Sequence, residues 1–302
     1  MRSAVVSGAT GLVGRATVRE LTSQGFEVLA LGRSQLSPAE VEVNFGSAVS
    51  YLDVEMSLIG DLQRRMRNET NFQGRECVFF HFAWSGKRGL TDGGLSVQLS
   101  NVKHATDVIS VAKEIDCEKV IGSGTFQETL VEKFLNAEVS EISATQQDYA
   151  VAKLAARDMS KITSYLQKID FVHTRMSVPL DFSLVRGTYI AQSLKAILRG
   201  VPYKPPVSNE IVDLVSTEDV GRAYVALGSS TVSSGDFYIG SSRPVRIPSL
   251  LSQFEEIVKG RAIDLEEEKS TALLFDTTPL KEAVGFAASR RIEDITRDWT
   301  GG

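Results

Sequence analysis

The run AVVSGATGLVGRATVRELTSQGFEVLALGRS, residues 4–34, constrains the fold more than any other stretch of the chain. An apolar strand, a glycine-spaced turn, a helix of apolar period and a second strand follow one another in the order a dinucleotide-binding βαβ unit needs. Gly8, Gly11 and Gly14 are spaced G-x-x-G-x-x-G. Glycines at those places permit a tight turn, let backbone N–H groups approach a pyrophosphate, and let helix and strand pack closely. The positive end of the helix favours the phosphate charge. Gly8, Thr10, Gly11, Leu12, Val13 and Gly14 are therefore the expected cradle.

The second strand closes on Leu31-Gly32-Arg33-Ser34. An Asp or Glu there would hold the ribose 2′-hydroxyl of NAD; none is present. The Arg33 guanidinium and the Ser34 hydroxyl suit a 2′-phosphate instead, so NADP(H) is the favoured cofactor and NAD(H) the alternative. Asp53, just after the third strand, is positioned either to accept from the adenine amino group or to cap a helix, and Val54 beside it joins the same candidate set.

From residue 1 to 175 short β-branched runs alternate with longer segments of helical period, which predicts a parallel sheet with crossover helices. Strands are expected at 4–7, 27–31, 49–52, 77–82, 119–122 and 170–174. After residue 175 prolines and glycines break the chain into shorter pieces. The expected fold is α/β, a doubly wound parallel sheet of Rossmann type over 1–175. Residues 176–302 then form a smaller, mainly substrate-binding lobe with segments returning to the sheet.

The net charge of −5 offers no basic face for nucleic acid. No apolar stretch approaches membrane-spanning length, and the start of the chain runs straight into a strand. Two cysteines, Cys77 and Cys117, fall in apolar runs and read as reduced, buried thiols, so a cytoplasmic location is expected. His81, His104 and His173 have no metal-ligand spacing, and no metal is expected.

In QQDYAVAKLAARD, Tyr149 and Lys153 lie four residues apart and so share a helix face. An ammonium beside a phenol favours the phenolate and brings its pKa towards the working range. The preceding strand, KVIGSGT, ends in two hydroxyls, Ser123 and Thr125. Taken together, GATGLVG, IGSGTFQE and YAVAK resemble the short-chain dehydrogenase/reductase superfamily in its extended branch, which modifies nucleotide sugars. The resemblance implies that Tyr149 is the acid or base and that Lys153 tunes it and binds the nicotinamide ribose. It also implies that Thr125 orients the substrate carbonyl, with Ser123 as the competing hydroxyl. Glu128 keeps the family's spacing from Thr125, whereas Thr129 stands where the family has an aromatic residue. HFAWSG resembles a subgroup of sugar ketoreductases, which would put Phe82, Ala83 and Trp84 on the nicotinamide side of the cleft.

Three departures narrow the expectation. Phe126 and Gln127 replace the Asp and Glu that family dehydratases carry after the threonine, which disfavours dehydration. Val178 and Val212 stand where the family has an asparagine and an arginine that contact the nucleotide sugar, leaving Lys195, Arg199, Arg243 or Arg246 to supply a phosphate contact. The expected activity is NADPH-dependent reduction of a keto group on a nucleotide-activated deoxysugar, with nucleotide sugar as substrate. An NAD-dependent 4-epimerase and a non-catalytic NADP-binding redox sensor are the alternatives. The helices at 95–115 and 145–167 are candidates for a homodimer contact.

Overall fold

A computed structural model of the protein describes residues 2–86, 93–139, 147–185, 188–206, 209–261 and 274–300. Strands β1 (Ser3–Ser7), β2 (Glu27–Gly32), β3 (Val49–Asp53), β4 (Cys77–His81), β5 (Cys117–Ser123) and β6 (Asp170–Met176) alternate with helices. The helices are α1 (Leu12–Ser23), α2 (Pro38–Phe45), α3 (Leu62–Glu69), α4 (Gly94–Glu114), α5 (Gln127–Leu135) and α6 (Gln147–Gln167). Residues 145 and 146, read as the start of the Tyr149 helix, lie outside the described residues. Strands β1, β2 and β4 are buried almost throughout and apolar without alternation, as parallel strands covered on both faces must be.

The rest of the chain forms β7 (Val178–Leu180), α7 (Tyr189–Leu198), β8 (Ile211–Val212), β9 (Leu214–Ser216), α8 (Thr217–Ser229) and β10 (Ser234–Ile239). It ends in β11 (Val245–Arg246), α9 (Ile247–Val258), α10 (Thr278–Val284) and α11 (Asp294–Thr300). Ser216 is the cap of α8, its hydroxyl accepting the Asp219 N–H at 3.0 Å.

The main sheet has the order β10-β6-β5-β4-β1-β2-β3. Neighbouring pairs from β6 to β3 are parallel. This is the doubly wound Rossmann arrangement, and strand order reverses between β1 and β4, the place where open α/β sheets generally bind ligands at the carboxyl ends of their strands. The glycine turn leaves β1 at that point and Phe82 leaves β4 beside it.

The chain divides into two compact units, Met1–Arg175 with Tyr224–Phe237, and Met176–Ala223 with Tyr238–Gly302. The first is built on apolar side chains between sheet and helices, among them Val5, Leu29, Phe79, Ile109 and Phe171. The second has its own core of Leu180, Leu194, Leu250, Phe254 and Ile295. Val212 is 6% exposed and belongs to that core, with Val178 packed against it, so both departures from the family pattern serve packing.

Candidate active site

The glycine turn is shaped for close approach. Gly8 has φ +70°, and a Cβ there would lie 2.8 Å from Ala83 N and 2.9 Å from Phe82 C, so the turn presses on the exit of β4. A Cβ on Gly14 would overlap the Gly8 carbonyl oxygen and lie 2.8 Å from Ala9 Cα. Gly11 is exposed at the cap of α1, whose first turn carries no acidic residue. Leu12 and Val13 are half-buried in that turn, where N–H groups have no partner within the helix. Arg15 steadies the turn from α1, its Nε donating to Thr10 O at 3.1 Å. Glycines that only backbone can neighbour, at a helix start free of negative charge, fit a dinucleotide pyrophosphate.

At the end of β2, Arg33 and Ser34 are exposed. Tyr51 braces the Ser34 main chain, its hydroxyl donating to Ser34 O at 2.6 Å. Asp53 caps no helix: it ends β3 and pairs with Arg65 at 2.9 Å, and hydrogen bonding to that guanidinium holds its carboxyl below the usual range. Val54 is 4% exposed, its side chain in the core and its N–H donating to Gly32 O at 2.7 Å. The Arg65 partner and the burial of Val54 were not visible in the sequence.

Tyr149, Lys153 and Thr125 come together. The Tyr149 phenol is 8% exposed, and the Thr125 side chain is close enough to lower its pKa. Lys153 Nζ donates to Ser123 O at 2.7 Å and sits 3.8 Å from the centre of the Trp84 ring. The Trp84 ring meets Tyr149 edge-on at 6.0 Å and donates through Nε1 to Gln98 Oε1 at 2.9 Å. Asn101 Oδ1 accepts Ser85 N at 2.8 Å, so two buried amides of α4 hold the segment after β4. Phe82 packs against Tyr224 with ring centres 4.6 Å apart, and the Tyr224 hydroxyl bonds to Thr174 at 2.7 Å.

The electrostatics differ from the sequence expectation in one respect. Burial pulls the Lys153 pKa down to about 8, against the opposing charge of Glu128. Tyr149 is raised, first by burial and then by Glu128, with only the Thr125 hydrogen bond lowering it. The ammonium that was expected to favour phenolate is 5.9 Å from the phenol ring centre and turned to Trp84 and Ser123 O.

Sequence reasoning found Glu128 by its spacing from Thr125 but missed what Glu128 binds. Glu128 accepts Thr125 N at 2.7 Å, pairs with His173 Nε2 at 2.8 Å and accepts Arg175 Nε at 3.2 Å. Arg175 also donates to Thr129 Oγ1 at 3.0 Å, which explains a hydroxyl where the family has an aromatic ring. The signal was period two along β6: His173 and Arg175 share one face and Thr174 takes the other. In the second unit, Arg243, Arg290, Arg291 and Ser241 line a pocket of about 30 Å³. Lys195 and Arg199 lie over Trp299, and Arg246 donates to Asn209 O at 3.4 Å. Among the described residues no group of His, Cys, Asp and Glu could hold a metal ion, and no helix is long and apolar enough to cross a membrane.

A Rossmann sheet with a glycine cradle at its switch point, and a Tyr, Lys and Thr gathered beside it, defines a nicotinamide-dependent enzyme fold of the extended short-chain dehydrogenase/reductase type. The chain belongs to the NAD dependent epimerase/dehydratase family, whose model matches residues 4–240. A search of curated proteins finds no match. Similar solved structures include a UDP-N-acetylglucosamine 4-epimerase from Bacillus cereus (TM-score 0.74, 16% identity, 99% of this chain and 96% of that one). The UDP-glucose 4-epimerase of Thermotoga maritima, solved with UDP-glucose, aligns with TM-score 0.72 and 16% identity over 99% and 98% of the two chains. The Bordetella bronchiseptica enzyme WbmF, solved with NAD+ and UDP, aligns with TM-score 0.69 and 17% identity over 99% and 92%.

Proposed function

We propose that the protein reduces a keto group on a nucleotide-activated deoxysugar, a 4-keto-6-deoxyhexose, with NADPH. The observation that carries this is the buried Tyr149 phenol with Thr125 close enough to favour its ionised form and Lys153 one helix turn on, beside the Trp84 segment that follows the β4 exit against the glycine turn. A reduced nicotinamide held there would supply the hydride to the carbonyl carbon. Tyr149 donates its proton to the carbonyl oxygen as negative charge develops there. Thr125 holds that oxygen by hydrogen bonding. Lys153 spends one of its three donors on Ser123 O, and another is available to the cofactor ribose. Gly8, Thr10, Gly11, Leu12, Val13 and Gly14 would hold the pyrophosphate, and Phe82, Ala83 and Trp84 would border the nicotinamide.

The preference for NADPH rests on exposed Arg33 and Ser34, the lack of a carboxylate at the end of β2, and the engagement of Asp53 by Arg65. Residues 1–175 act as the cofactor domain and the later segments mainly as the substrate lobe. A homodimer is supported by the packed helices α4 and α6: Val151, Met159, Ile162 and Leu166, at helical spacing on α6, are 49%, 52%, 63% and 70% exposed.

The test is steady-state NADPH oxidation with a panel of keto and reduced nucleotide sugars. Turnover with a 4-keto-6-deoxy sugar is expected, and no turnover with any keto sugar would reject the proposal. A 4-epimerase is the second reading, favoured by the names of the structural neighbours. It predicts NAD retained through purification and interconversion of a UDP-sugar without net oxidation. A non-catalytic redox sensor would bind NADPH and turn over none of the panel.

A further inference from the structure

Lys153 is 6% exposed, and a buried ammonium is costly unless something answers its charge. Among the described residues no carboxylate forms an ion pair with it. Its close partners are the Ser123 carbonyl at 2.7 Å and the face of the Trp84 ring, whose centre lies 3.8 Å from Nζ. That face is the negative side of the ring quadrupole, and it attracts a cation most strongly where water is excluded. The ring is held from both sides. Its Nε1 donates to the buried Gln98 of α4 at 2.9 Å, and the backbone of Ser85 beside it is bonded twice to the Asn101 amide at 2.8 Å. On α6, Tyr149, Ala152, Lys153 and Ala156 share one face, and the two alanines leave the space that the indole fills. The other charged groups nearby are engaged elsewhere or act from further off. Glu128 of α5 supports the ammonium at a distance and is paired with His173 of β6. Arg157, one turn along α6, is paired with Glu132 and Asp158. His81 of β4 is buried, neutral and bonded to Ser7 at 2.8 Å, and His104 of α4 is half-buried.

We propose that Trp84 is a positioning residue for Lys153: the face of its indole supplies the negative potential that keeps the buried ammonium charged and seated one helix turn from Tyr149. The proposal rests on the reductase reading for what that ammonium then does, which is to hold the cofactor ribose beside the phenol. A neutral amine in the same seat would have lost a donor and its charge. An aliphatic side chain in place of the indole would cover the ammonium and answer none of its charge.

The chain has two tryptophans, so a Trp299→Phe background leaves Trp84 as the site that takes tryptophan analogues. Mono-, di- and trifluorotryptophan keep the shape of the ring and its N–H while draining charge from its face. In each protein the ε-carbon resonance of Lys153, assigned by its loss in Lys153→Met, is followed through a pH titration of the full chain. The midpoint is expected to fall with each added fluorine, by about one pH unit over the series, roughly tenfold in ionisation constant. A ring that merely fills space would leave the midpoint level, and a level or rising midpoint overturns the proposal. If the fluorinated proteins do not accumulate folded, Trp84→Phe and Trp84→Leu carry the test. The phenylalanine variant keeps a ring face and is expected to stay near the parent, whereas the leucine variant is expected to fall by about one pH unit. Equal midpoints overturn the proposal, as does a rise in the leucine variant, which would mean that the indole only kept water out. Turnover is not needed for this readout. A falling midpoint in a protein that reduces no ketone would retire the proposed reaction and leave the seat of Lys153 standing.

Discussion

Single side chains carry the proposed cofactor site. Gly14→Ala would push a methyl into the Gly8 carbonyl and against Ala9 Cα, backbone that cannot step aside. It is expected to cost about 1–3 kcal/mol in urea unfolding and to weaken NADPH binding, and a variant as stable as the parent would contradict the packing described. Arg33→Ala, at an exposed site, is expected to leave stability unchanged and to weaken NADPH while sparing NADH. Equal affinity of the parent for both cofactors would reject the 2′-phosphate assignment. At this scale the sequence was most informative where spacing carries geometry. The glycines, Tyr149 and Lys153 were legible because a turn and a helix turn convert spacing directly into proximity. Glu128 with His173 was not, because 45 residues separate partners whose meeting depends on the register of β5 and β6. Asp53 was legible as a polar group near the cleft, but its Arg65 partner was not.

Elements are tied together at the sheet by buried polar contacts. Ser7 and His81 are register partners on β1 and β4, and the Ser7 hydroxyl and His81 Nδ1 are 2.8 Å apart. Burial drives the His81 pKa down to about 3, with the Lys153 charge acting in the same direction. The unfolded chain therefore binds a proton that the folded state refuses between pH of about 6.5 and 3. Stability from this histidine is complete above about 6.5 and falls as pH drops through that window, with a limiting slope of about 1.4 kcal/mol per pH unit. His81→Asn, which keeps a polar atom towards Ser7, is expected to flatten the acid slope in pH-dependent urea unfolding. A slope identical to the parent would contradict it. Lys119 on β5 joins α8, its Nζ donating to Ser230 O at 2.8 Å and Leu227 O at 3.3 Å. Lys119→Met leaves those carbonyls without the ammonium and is expected to lower stability by about 1–3 kcal/mol in the same assay. The strand run to β6 was readable from apolar patterning, since parallel strands are apolar on both faces. The return of Tyr224 to the first unit was not, since nothing local to α8 encodes its contact with Phe82.

Across the whole molecule, a first unit built on the parallel sheet and a second unit with its own core account for the change of rhythm after residue 175. The apolar stripe on α6 predicts a dimer in sedimentation analysis and a monomer for Ile162→Glu; a monomeric parent would remove the homodimer from the account. The central claim is that the Tyr149 phenol gives its proton to a ketone reduced by NADPH. The most direct measurement compares the parent with Tyr149→Phe in NADPH oxidation on a nucleotide-linked 4-keto-6-deoxyhexose, with NADPH affinity measured in parallel. The account predicts that kcat falls by at least ~10²-fold while NADPH affinity barely changes. A phenylalanine variant that turns over as fast as the parent would contradict it.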